Sequence, residues 1–96
     1  MVLEMPASAE KDVIISNNRG LHARAAARFV EKARQFSSRI SVSKDDLRVS
    51  GRSIMGLLLL AAAKGETIRI SAKGNDCEAA LQALETLVGN RFREKD

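Results

Sequence analysis

The chain has 96 residues, 45% of them hydrophobic, with three Phe and no Trp or Tyr. That length points to one domain with a small aliphatic core, and the apolar share excludes wholesale disorder. The formal net charge of +4 fits a nucleic-acid partner, an acidic protein partner or a solvated basic surface. With so few aromatic rings there is little platform for stacking bases, so no nucleic-acid partner is expected. The single Cys, Cys77, cannot form an internal disulfide and reads as a small packing residue in a helix. No His or Cys lies near it to build a metal site, and neither metal nor cofactor is expected. The first eleven residues lack an apolar signal core, and the apolar run over residues 54–63 is too short to span a bilayer. A cytoplasmic protein without membrane contact is the expectation.

Residues 1–10 show no periodicity and read as a flexible leader before a single domain over residues 11–96. Val13-Ile14-Ile15 is a short strand with Val13 and Ile15 on one face. Ser16-Asn17-Asn18-Arg19-Gly20 is rich in turn formers. From Ala23 the period becomes helical: Ala26, Phe29, Val30, Ala33 and Phe36 share a face, which predicts an amphipathic helix ending near Phe36. Ile40 and Val42 alternate with serines, Asp45-Asp46 turns, and Leu47 and Val49 alternate with Arg48 and Ser50, which predicts a hairpin. Ser53 caps a short helix running to about Ala62, with Lys64-Gly65 as its end. Ile68 and Ile70 mark a fourth strand. Asn75 with Glu78 resembles a capping box before a last helix that carries Leu81, Leu84, Leu87 and Val88 and stops at Gly89. Four half-polar strands and three helices predict an α+β fold, a four-stranded antiparallel sheet with helices on one face.

His22 is the only His. A lone His is ordinarily a surface residue or a helix cap. This one directly precedes the first helix, whose free N–H groups point back toward it and, with the helix dipole, make an anion site. A neutral imidazole there has a lone pair that can attack phosphorus. Arg24, two residues on, has a planar fork suited to phosphate oxygens; without His22 it would read as a solvated Arg. No carboxylate pair, Cys–His pair or metal cluster supports hydrolysis, so the expectation is a phosphohistidine carrier rather than an enzyme.

Gly51 to Gly56 spells G-x-x-x-x-G, but Leu57-Leu58 follows where a phosphate loop needs Lys and Ser/Thr, so that reading fails. Gly51 is instead expected to permit a close approach of the helix. Ser53 is by itself only a cap, although a phosphate there would sit at a helix start and be tolerated. The run that follows is apolar all round. A helix on one face of a sheet buries one side, so some of Ile54, Met55 and Leu58 are expected in an exposed patch.

Gly20-Leu21-His22-Ala23-Arg24 resembles the active-site motif of HPr, the phosphocarrier of the phosphoenolpyruvate-dependent phosphotransferase system. Gly51-Arg52-Ser53-Ile54-Met55-Gly56-Leu57-Leu58 resembles its regulatory-serine motif, at matching spacing. The resemblance spans residues 11–92 and implies an open-faced β-sandwich. It implies phosphorylation of His22 on Nδ1 by Enzyme I, assistance from Arg24, and transfer to an EIIA-type domain by a monomeric carrier. Ser53 matches the serine modified by HPr kinase/phosphorylase where that regulation exists. Ile54, Met55 and Leu58 match the docking surface beside the histidine. The family usually has Pro where this chain has Ala25, which bears on the rigidity of the active-site turn. The end of the chain and the Ala-Lys-Gly after the second helix look more like the nitrogen-related branch (NPr) than the sugar branch. The competing reading is a regulatory binding module of the same fold, against which the retained His22 argues.

Overall fold

The computed structural model describes residues 7–94. In chain order the elements are β1 (Ser8–Ile14), α1 (Ala23–Ala33), β2 (Arg39–Lys44), β3 (Leu47–Ser50), α2 (Ile54–Leu59), β4 (Thr67–Lys73) and α3 (Cys77–Gly89), followed by a single turn over Arg91–Arg93. The strands form one antiparallel sheet in the order β1-β4-β2-β3. Val13, Ile40, Val42, Ile68 and Ile70 point to one side and are buried, while Asp12, Ile14, Arg39, Thr67 and Arg69 point to the other and are exposed. The helices cover the first side only, which is the expected open-faced α+β sandwich.

Several boundaries differ from the sequence reading. Of the leader expected over residues 1–10, residues 1–6 lie outside the described residues, and Ser8 to Glu10 belong to β1. That end of the strand is held by pairing with β4, from Ser8 opposite Lys73 onward, and most of its side chains are exposed. It therefore carries no apolar alternation to read. Helix α1 stops at Ala33; Phe36 closes a further turn through its N–H to the Ala33 carbonyl at 3.2 Å and packs half-buried on the core. Helix α2 stops at Leu59 rather than near Ala62, because Ala61 takes a left-handed φ of 48°. Lys64-Gly65 forms a separate turn, with the Gly65 N–H on the Ile15 carbonyl at 2.7 Å.

The expected Asn75 capping box does not form. Asp76 occupies the N-cap of α3, and its carboxylate reaches across the fold instead of capping. It accepts the N–H groups of Ser37 and Ser38, each at 2.9 Å, and the Ser38 hydroxyl. Gly89 is the last residue of α3 and Asn90 its C-cap. Gly51 serves β2 rather than a helix: a Cβ there would stand 2.5 Å from Ile40 Cγ2. Cys77 is buried, as expected of a packing residue.

Candidate functional site

His22 is placed by the loop before α1. Gly20 has φ +68°, and a Cβ on it would lie 2.5 Å from the Ala62 carbonyl oxygen. Only glycine meets both constraints without strain. The close approach lets the Leu21 N–H bond that same carbonyl at 2.9 Å, which fastens the loop to the end of the α2 segment. His22 follows as the extended N-cap of α1, its carbonyl accepting the Ala26 N–H at 2.8 Å.

The imidazole has a defined partner at each nitrogen. Nδ1 accepts the backbone N–H of Arg24 at 3.3 Å, and Nε2 lies 2.9 Å from Glu94 Oε2. An Nδ1 that accepts an N–H carries no proton, so the ring proton sits on Nε2 and is donated to Glu94. The Nδ1 lone pair thus faces the start of α1, where first-turn N–H groups have no helical acceptor. The His22 side chain is 16% exposed, enough to be approached from outside.

Arg24 is exposed, and its guanidinium has no hydrogen-bond or ion-pair partner among the described residues. Its backbone, not its side chain, contacts the ring. Ala25, where the family usually has Pro, is fully buried beneath the first turn.

Glu94 is the residue that the sequence reading missed. Its Oε1 accepts Asn17 Nδ2 at 2.7 Å, and the same buried Asn17 nitrogen donates to the Gly20 carbonyl at 2.7 Å. The turn that delivers Glu94 is left-handed, with φ of 56°, 55° and 62° at Arg91, Phe92 and Arg93, a conformation that L residues avoid. It is anchored by Phe92, which is wholly buried, and by Arg28 Nη1 on the Phe92 carbonyl at 2.6 Å. The signal in the sequence was Phe92 itself, one large apolar residue in an otherwise charged tail.

Ser53 is the N-cap of α2, its Oγ accepting the Gly56 N–H at 2.9 Å, as expected. Ile54, Met55 and Leu59 are 40%, 72% and 67% exposed. Leu58, expected among the exposed residues, is half-buried against the core, so Leu59 takes its place in the patch. A groove between α1 and α2 runs past Ser53 and Met55, with Ala27, Glu31 and Arg34 on its other wall. His22 and Ser53 therefore sit at opposite ends of the helix pair, with the apolar patch of α2 between them. Six helical residues span roughly 9 Å.

Among the described residues, no helix is long and apolar enough to cross a membrane. Residues 9–90 match the family model described as the PTS HPr component phosphorylation site. The chain is similar to the phosphocarrier protein HPr of Neisseria meningitidis serogroup A, 46% identical over 85 residues that make up 88% of this chain and 96% of that one. It is also similar to the phosphocarrier protein NPr of Shewanella violacea, 40% identical over 85 residues, 88% of this chain and 93% of that one. The solved structure of HPr from Thermoanaerobacter tengcongensis matches with a TM-score of 0.87 at 43% identity, over 92% of this chain and 99% of that one. The chain belongs to the HPr family, the phosphocarrier proteins of the phosphotransferase system.

Proposed function

We propose that His22 is the phosphoryl acceptor of this carrier. Nδ1 attacks phosphorus on phospho-Enzyme I; the bond from phosphorus to the donor breaks, and a P–N bond forms. The step reverses onto an EIIA-type domain, with the electron pair of the P–N bond returning to Nδ1. The observation that carries this reading is the His22 Nδ1 that accepts the Arg24 N–H at 3.3 Å at the start of α1, beside N–H groups able to hold phosphoryl oxygens. The Arg24 guanidinium, without a partner among the described residues, supplies the mobile charge for the same oxygens. Both oxygens of the nearby carboxylate, Glu94, are engaged, which suits a carrier that must not hydrolyse its cargo. Ser53 is a candidate for modification by HPr kinase/phosphorylase. Ile54, Met55 and Leu59, with half-buried Leu58 at their base, form the docking surface, which a monomer in the cytoplasm leaves free.

The test is intact mass after incubation with Enzyme I, Mg²⁺ and phosphoenolpyruvate. One acid-labile phosphoryl group is expected on the wild type and none on His22→Ala. An acid-stable adduct, or labelling that survives the substitution, refutes the assignment.

A further inference from the structure

We infer that Glu94 is a positioning residue for His22, delivered to it by the left-handed turn at Arg91–Arg93; the inference rests on His22 being the phosphoryl acceptor. The observations form one chain of contacts. Buried Asn17 holds Glu94 Oε1 at 2.7 Å, and Glu94 Oε2 holds His22 Nε2 at 2.9 Å. The Arg24 N–H meets the opposite ring nitrogen. The ring is thereby fixed in rotation and in tautomer, with its proton on the nitrogen that does not react.

The charge follows the same geometry. When Nδ1 bonds to phosphorus, the ring keeps its Nε2 proton and becomes cationic. That cation faces the Glu94 carboxylate, so the contact strengthens as the P–N bond forms and weakens as the electron pair returns to Nδ1. A charge-assisted hydrogen bond that gains strength along the reaction favours the transfer step rather than mere binding.

The chemistry also requires a carboxylate. Two donors, Asn17 Nδ2 and the Nε2–H of His22, meet the two oxygens of Glu94. A Gln side chain has only one acceptor oxygen and would set its own amide hydrogens against one of these donors. Three consecutive left-handed residues are an unfavourable way to end a helix unless their destination matters.

The test compares wild type, Glu94→Ala and Glu94→Gln. One readout is the ¹⁵N NMR signals of the neutral His22 ring in the unphosphorylated protein. The other is the rate of phosphorylation by phospho-Enzyme I. Wild type is expected to show Nε2 protonated and Nδ1 bare. Glu94→Ala is expected to lose that single-tautomer signature and to be phosphorylated roughly tenfold more slowly. Glu94→Gln, isosteric and therefore the control for folding, is expected to be slowed as well, though less. Both changes are required: unchanged ring signals, or an unchanged rate, in Glu94→Ala and Glu94→Gln overturns the inference. Labelling elsewhere than His22 overturns the His22 assignment instead, and the ring signals separate the two failures because they are read without any phosphoryl group.

Discussion

Arg24 contributes two separable things. Its backbone N–H holds the ring, and its exposed guanidinium is held by nothing among the described residues. Arg24→Ala keeps the first and removes the second. The substitution leaves no cavity and is expected to change stability by no more than about 0.5 kcal/mol. The lost charge-assisted contact to the phosphoryl group is worth roughly 1.5–3 kcal/mol, so transfer from phospho-Enzyme I is expected to slow by about ten- to a hundredfold. Transfer at the wild-type rate with an unchanged melting temperature would remove Arg24 from the reaction. The pair His22 and Arg24 was legible in the sequence because its geometry is local: a glycine that must turn, a cap, and a helix start within five residues. Glu94 was not legible, because its contact with His22 closes over 72 positions of chain. The burial of Phe92 and the Arg28 bond to its carbonyl, both tertiary facts, bring it there.

At the scale of elements, Asp76 shows what local pattern cannot reveal. Capping chemistry predicts a helix start near Asn75, and α3 does start there, but the carboxylate at the cap joins α3 to the α1–β2 connection. The Ser38 hydroxyl foremost, and then the Ser37 and Ser38 N–H groups, hold the Asp76 carboxyl at about 2, against an ordinary value of 3.8. The folded value lies below the unfolded one. The tie therefore contributes fully above about pH 4 and is lost as pH falls through about 2. Asp76→Asn keeps at most part of this acceptor set and is expected to melt lower than wild type at neutral pH. The gap should close as the pH falls from about 4 to about 2, because protonation then removes the same charge from the wild type. A gap that persists at the acid end would assign the loss to shape rather than charge. The N-terminal half of β1 escaped the sequence reading for a related reason, since a ladder to β4 and not its own side chains makes it a strand.

The whole molecule sets His22 and Ser53 at opposite ends of the α1–α2 pair, with Ile54, Met55 and Leu59 exposed between them. A partner that buries this patch on its way to His22 must therefore come close to Ser53. The net charge of +4 favours an acidic partner surface. A negative charge at Ser53 then acts on docking while leaving the fold in place: it sits at the cap, where an anion is favourable by about 0.3–1 kcal/mol, and it meets the partner as a like charge. Ser53→Asp is expected to keep or slightly raise the melting temperature and to weaken phosphorylation of His22 by Enzyme I through a higher KM. Ser53→Ala is expected to lower the melting temperature and to leave phosphorylation unchanged. It loses the hydroxyl that accepts the Gly56 N–H at 2.9 Å, at a cost of about 1 kcal/mol, but adds no charge and should be phosphorylated normally. Melting curves and Enzyme I kinetics on the two variants separate cap from switch. If Ser53→Asp were phosphorylated as fast as wild type, Ser53 would be a cap and nothing more. If Ser53→Ala were slowed as much as Ser53→Asp, the effect would come from the loosened helix start rather than from charge at the docking surface.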